Sequence, residues 1–224
     1  MAVTELAWLT TVGPSVTTEA KKATDHGLGV QDEWCTRNAP ALPRDREGRG
    51  AAFFEQVEDP SITLLTAHWE TAPQHMAWIE SPENKVVFPA LADYFQLEKT
   101  KFFHVDGVEI FKKSKEPGAK SPLESPIISI SRLAVPAEKR QTFEQAWNEV
   151  KGALEEFAGA DLVKYGWRIE KEDPTAEEFV LICGWPSVEK HGEFTKVDGF
   201  QKLDSKVRSI AEVREVKHYQ RIPL

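Results

Sequence analysis

This 224-residue chain holds little of what usually fixes a function from sequence. It has only two cysteines, Cys35 and Cys183, with no CxxC spacing and no surrounding histidine cluster, so zinc and redox-motif chemistry are excluded. Two isolated thiols need no disulfide framework and fit a reducing compartment. No apolar run is long enough to span a bilayer. The N-terminal stretch lacks a basic region followed by an apolar core, so a secretory signal is not expected. Basic residues are in deficit, 28 Lys and Arg against 36 Asp and Glu, for a net charge of −8. Nucleic-acid binders carry the opposite balance. P-loop, GxGxxG-after-strand, HExxH and GxSxG patterns are all missing. The expectation is a soluble cytoplasmic protein without a membrane or nucleic-acid partner and without a metal site.

What is present is a repeat. Trp69, His75 and Trp78 recur as Trp185, His191 and Phe194, each set following an apolar run. Glu58-Asp59-Pro60 recurs as Glu172-Asp173-Pro174, Phe88 as Phe200, and the pair Glu98 and His104 as Glu212 and His218. Such matches, in one order at a nearly constant offset, indicate an internal duplication. The first copy covers residues 1–111, a Pro-, Ser- and Lys-containing linker 112–126, and the second copy 127–224.

Each copy reads as β-α-β-β-α-β, the ferredoxin-like split βαβ unit. In the second copy, Ile127–Val135 alternates as a strand, and Pro136 opens a helix. Phe143, Trp147, Val150, Leu154 and Phe157 form that helix's apolar stripe, with Gly159 at its C-cap. Strands follow at 162–170 and 178–185, then a helix over 187–208 and a strand over 213–222. In the first copy the strands fall at 5–12, 52–58, 62–69 and 97–105, with a second helix over 72–94. The first copy is longer by a charged, glycine-bearing segment, Arg44 to Gly50, which reads as a mobile surface loop or as a lid. Apolar residues occur at both parities in the strands, as in Leu64-Leu65 and Val180-Leu181, so both sheet faces are expected to be covered. The expected fold class is α+β: tandem ferredoxin-like repeats closing one intramolecular, pseudo-dimeric barrel, with room for one small ligand between the sheets.

The segment Trp69-x8-Trp78-Ile79-Glu80-Ser81 followed by Phe88 resembles the dimeric α/β barrel superfamily, specifically its antibiotic-biosynthesis monooxygenase type. Trp185, His191, Phe194 and Phe200 repeat the pattern more loosely, similar to tandem single-chain members found in fungi. The resemblance implies the fold, and a membership that includes cofactor-free monooxygenases, polyketide cyclases, heme-degrading oxygenases and members without activity. The heme-degrading branch carries a histidine shortly after the phenylalanine matched by Phe88 and Phe200, and an asparagine on the first strand. Both are missing from both copies, and the plant cyclases' late helical histidine is missing too. Heme degradation is therefore disfavoured, and no cofactor is expected.

His75 and His191 are candidate proton acceptors because an imidazole titrates near neutrality. Their repetition favours a structural histidine packed beside the tryptophan, since structural residues survive in both copies of a duplication. His104 and His218 form a second repeated pair. His68, opposite Gly184, is not repeated, and whether it lines a cavity depends on which way Trp69 faces. His26 reads as a loop residue. Trp8, Trp69, Trp167 and Trp185 lie on strands, where inward indoles would line a cavity for a planar apolar ligand or simply fill the core. Arg132, like Arg168, is a strand arginine able to bind a carbonyl or carboxylate if it faces inward.

The reading is a cofactor-independent monooxygenase or cyclase acting on an aromatic or polyketide-like metabolite. The alternative is a non-catalytic ligand-binding or stress-associated protein. A covalent pseudo-dimer is complete as a monomer, though a homodimer through the helices is compatible. Where the copies differ, at His68 and at the 44–50 segment, is where catalysis is expected.

Overall fold

A computed structural model describes residues 2–112 and 114–224. The chain divides into two compact units, one comprising the residues up to Phe111 together with Tyr219–Leu224, the other Lys112–His218.

The first unit contains strands β1 (Val3–Thr10), β2 (Ala52–Gln56), β3 (Ile62–Trp69) and β4 (Lys101–Asp106). They pair antiparallel in the order β4-β1-β3-β2. The chain's last strand ends beside β2, with Tyr219 to Ile222 paired to Gln56 to Phe53, and those residues therefore belong with this unit. Helix α1 (Thr18–Asn38) is capped by Thr17, whose side chain accepts from the Ala20 N–H. The stretch 72–94, expected as one helix, is broken. Helix α2 (Ala72–Ile79) stops before Ser81-Pro82, because a proline disfavours helical geometry in the residue ahead of it. The chain restarts as α3 (Asn84–Val87), with the Asn84 N–H donating to the Ser81 hydroxyl and the Asn84 amide donating to the Ile79 carbonyl. Pro89–Leu91 adds one 3-10 turn.

The 44–50 segment is pinned rather than loose. Arg46 pairs with Asp25 at 2.6 Å and Asp32 at 3.1 Å on α1, and the buried Arg49 pairs with the same Asp32. At Gly50 the backbone turns left-handed (φ +62°), and its carbonyl accepts from the Thr66 hydroxyl.

The second unit contains β5 (Ile127–Pro136), β6 (Val163–Trp167), β7 (Ala176–Trp185) and the first part of β8 (Glu212–Ile222), ordered β8-β5-β7-β6. Helix α4 (Arg140–Ala158) ends at Gly159, whose φ of +103° explains the glycine. The expected helix 187–208 is again two pieces, α5 (Val188–Phe194) and α6 (Asp198–Arg208). Helix α6 crosses α4 so closely that a Cβ on Gly199 would lie 2.7 Å from the Cβ of Ala153. Part of the expected linker is buried: Pro122–Glu124 forms a 3-10 turn boxed by Ser121 and Glu124, and Leu123 is 4% exposed. Ser125 presses against Gly184, which leaves no room there for a side chain.

Candidate functional site

Strand alternation places Glu5, Ala7 and Leu9 of β1 on the face covered by the helices. Glu5 stands opposite His104 in the β1–β4 register, and Ala7 opposite Phe102. Trp69 lies at the end of β3 on the same face, packed edge-on against Trp34 of α1. Thr71 caps α2, which brings His75 round one turn later to stack on the Trp69 indole, 4.7 Å between ring centres and 18° between planes.

The result is a buried polar chain. Trp69 Nε1–H donates to Glu5 Oε2 at 2.8 Å, and His75 Nε2 lies 3.3 Å from the same oxygen. His75 Nδ1 and His104 Nε2 share a hydrogen bond of 2.8 Å. Glu5 is 4% exposed, His75 3% and His104 0%. Burial pushes the Glu5 carboxyl up to about 7, against the pull of the Trp69 N–H and of His104. A carboxyl so placed exchanges protons at neutral pH, unlike an exposed glutamate.

Glu5 and His75 form part of the wall of a cavity of about 310 Å3 inside the first unit. Its other sides come from α1 (Thr24, Gly27, Leu28, Gln31), from α2 and α3, and from Phe102 at the edge of β4. Most of this lining is apolar. The cavity thus lies between strands and helices of one unit, and not between the sheets of two copies as the sequence leads one to expect.

The remaining sequence candidates fall elsewhere. Because Trp69 faces the helices, His68 faces the other way and packs on Phe111, 5.0 Å between ring centres. Trp8, also on that opposite face, donates from Nε1 to the Tyr219 hydroxyl at 2.8 Å. Trp69 backs His75 rather than lining the cavity. No residue of the 44–50 segment is among the described lining residues.

The second unit repeats the stack without the carboxylate. Trp185 and His191 stack at 4.5 Å and 16°, and His191 Nδ1 meets His218 Nε2 at 2.7 Å. Here Trp185 Nε1–H donates to the Ser129 hydroxyl at 2.8 Å. Burial, helped by the neighbouring His218 charge, pushes His191 down to about 4 and keeps it neutral. Trp167 is held in the α4 contact, donating to Glu144 at 2.9 Å beneath Arg140. Arg132 is committed to Glu178 at 2.7 and 2.9 Å and to Glu215 at 3.3 Å. Its neighbour Arg168 pairs with Glu172 at 2.6 Å. Both cysteines are buried, and burial raises both thiols, Cys35 to about 12.

Glu5 was the residue that sequence reasoning missed. The signal was available: in Val3-Thr4-Glu5-Leu6-Ala7-Trp8-Leu9, Glu5 shares its parity with Val3, Ala7 and Leu9, a lone charge on the apolar side of a strand.

No family model matches the chain, and no curated protein sequence does. Solved structures do. A candidate monooxygenase from Lactobacillus acidophilus has a TM-score of 0.58 at 9% identity, over 98% of this chain and 93% of that one. An anthrone oxidase-like protein gives 0.54 at 12% identity, over 99% and 92%. A heme-binding protein from Thermus thermophilus gives 0.54 at 12%, over 100% and 92%. At these identities the likeness is one of fold, and the chain shares an α+β, ferredoxin-like fold with these proteins over nearly its whole length.

Proposed function

We propose that the first unit is a small-molecule enzyme of the cofactor-independent oxygenase or cyclase type, acting on an apolar aromatic or polyketide-like metabolite in the cavity at Glu5 and His75. One observation carries the proposal: a buried carboxyl raised to about 7, beside a buried imidazole, forms part of the wall of a largely apolar cavity of about 310 Å3. The oxygenase-related names among the structural neighbours agree with this reading.

Glu5 takes a proton from an activated methylene or phenol, and His75 and His104 orient the carboxyl. The resulting electron-rich anion gives one electron to dioxygen. The two radicals recombine as a peroxide, and loss of water leaves a carbonyl. The balance is CH2 + O2 → C=O + H2O, with the substrate carbon oxidised and dioxygen reduced. A cyclase uses the same first step and spends the carbanion on an internal carbonyl.

A heme fits these residues poorly. Both ring nitrogens of His75 are engaged, and no lysine or arginine is among the described lining residues to meet propionates. The duplication is part of the same proposal, supported by the stack that both units carry, and the barrel expected from the sequence rests on it.

The test is oxygen uptake in air over a panel of anthrones and phenols, with product quinones identified by mass. Glu5→Gln and His75→Ala should abolish uptake. Binding without turnover in the wild type would replace this proposal with the non-catalytic ligand-binding reading.

A further inference from the structure

Three polar residues in the cavity wall are unexplained by the proton chemistry. Thr24 and Gln31 lie seven residues apart on one face of α1, with Gly27 and Leu28 between them on the same face. Thr100 stands just ahead of β4. Thr24 is 7% exposed and Gln31 4%. The Thr24 hydroxyl, the Gln31 amide oxygen and the Thr100 hydroxyl are all buried without a hydrogen-bond partner among the described residues. Buried polar atoms are paired in the great majority of proteins, and leaving one unpaired is costly. Three around one cavity mark a place where something else completes the bonding. A hydroxyl, which both donates and accepts, can serve a threonine hydroxyl and an amide together.

The charge around the cavity narrows the ligand further. Among the described lining residues the ionisable groups are Glu5 and His75, with no cation to receive a carboxylate or phosphate. Trp78, Phe88 and Phe102 supply flat apolar surface.

We infer that Thr24 and Gln31, with Thr100, form a hydroxyl-recognition subsite, and that the ligand is an uncharged aromatic molecule bearing at least one hydroxyl group. This inference rests on the reading of the cavity as the ligand site. The hydroxyl end binds at α1, which leaves the reacting end of the ring to Glu5. Sites built around a substrate hydroxyl reject the analogue lacking it far more strongly than apolar pockets reject a missing methylene.

The experiment titrates the full chain with 1-naphthol, naphthalene and 1-naphthoate, following quenching of Trp78 and the other tryptophans and checking by calorimetry. The wild type should bind 1-naphthol about tenfold or more tighter than naphthalene, the worth of one good hydrogen-bond set. It should bind 1-naphthoate more weakly still. In Gln31→Leu, and more fully in Thr24→Val/Gln31→Leu, the gap between naphthol and naphthalene should close to about threefold or less while naphthalene binding is kept or improved. Retained naphthalene binding shows that the variant cavity is folded.

An undiminished gap in the double variant overturns the subsite. So does equal binding of naphthol and naphthalene by the wild type, naphthoate binding as tight as naphthol, or binding of none of the three. The oxygen-uptake panel separates this inference from the proposed function. Discrimination without turnover leaves the subsite standing and removes the oxygenase, whereas turnover without discrimination does the reverse.

Discussion

The two units carry the same stack of indole on imidazole, 4.7 Å and 18° at Trp69–His75 against 4.5 Å and 16° at Trp185–His191. Each imidazole then meets a second one on the unit's last strand, at 2.8 and 2.7 Å. The units differ in what the tryptophan N–H finds: the Glu5 carboxylate in one, the Ser129 hydroxyl in the other. They differ also in what lies under the helices. In the first unit Trp78 and Phe88 line a cavity, while in the second unit Phe194 and Phe200 pack on each other, 5.4 Å between ring centres. Helix α6 closes on α4 at Gly199 and Ala153, whereas α1 presents Gly27 to open space. The shared stack is therefore scaffold, fixing the start of a helix against a strand. On the proposed function, chemistry belongs to the unit that joins a carboxylate and a cavity to this stack.

The largest effect expected from this comparison is on turnover. Glu5→Gln keeps an acceptor for the Trp69 N–H but cannot take a proton, and should cost about 10²- to 10⁴-fold in oxygen-uptake rate. Ser129→Ala in the second unit should leave the rate within about twofold, since Ser129 is not among the described lining residues of the cavity and its loss removes one neutral hydrogen bond. Equal losses from both changes would mean that the two stacks work alike.

Stability should show the opposite symmetry. Trp69 and Trp185 are both 1% exposed and fill the same place in their cores. Trp69→Ala and Trp185→Ala should each destabilise by about 3–5 kcal/mol in urea unfolding. A change that is harmless in one unit alone would show that its tryptophan is not scaffold.

Much of this organisation was legible in the sequence, for identifiable reasons. The apolar run ending at Trp69 marked Ile62–Trp69 as a strand to the residue, and the apolar stripe from Phe143 to Phe157 marked α4. The repeat of Trp, His and His drew attention to His75. The two long second helices were misread as continuous because apolar spacing runs through their breaks, at Ser81-Pro82 and at 195–197. Searching for function at unmatched positions led to His68 and the 44–50 segment. The glycine opposite His68 has a packing cause, the close approach of Ser125. Arg46 and Arg49 are used in holding that segment to α1. The informative mismatch was Glu5 against Ser129, on strands too short for local similarity to align. Nor could spacing reveal that an apolar-looking helix face would stand off from the sheet and leave a cavity.

A pH series tests the comparison with a smaller effect, of opposite sign in the two units. The Glu5 carboxyl, ordinarily near 4.5, is raised to about 7 in the folded protein. Between those values the unfolded chain gives up its proton while the folded one keeps it, so the first unit loses stability as pH rises, by about 3 kcal/mol once pH exceeds 7. His191, ordinarily near 6.5, is lowered to about 4. Between those values the unfolded chain binds a proton that the folded one refuses, so the second unit loses stability as pH falls from 6.5 towards 4. Hydrogen exchange of β1 and β3 amides against β5 and β7 amides, corrected for intrinsic rates, should therefore show slopes of opposite sign between pH 4.5 and 6.5. Glu5→Gln should flatten the first slope and leave the second. The same titration governs activity, which should rise with an apparent pKa near 7 as Glu5 becomes able to accept a proton. Parallel slopes would remove the electrostatic difference between the stacks.

The smallest effect separates stability from binding. Gly27 of α1 and Gly152 of α4 are interior helical glycines in corresponding helices, and an added Cβ would meet nothing within 4 Å at either. Replacing such a glycine with a good helix former stabilises by about 0.5–1 kcal/mol, because the unfolded chain loses freedom and the helix gains propensity. Gly27→Leu and Gly152→Leu should therefore both raise the unfolding midpoint, and by similar amounts. Their consequences for ligand should diverge, because Gly27 lines the cavity and Gly152 is exposed on the far side of a filled core. A leucine at 27 projects its four carbons into the space between Thr24 and Gln31, and 1-naphthol binding should be lost even as the protein becomes more stable. Gly152→Leu should bind as the wild type does. If Gly27→Leu instead lowers the midpoint, that face of α1 is not open. If it stabilises yet binds naphthol undiminished, the cavity beside Glu5 is not where the ligand goes, and the asymmetry between the units would have to be sought outside it.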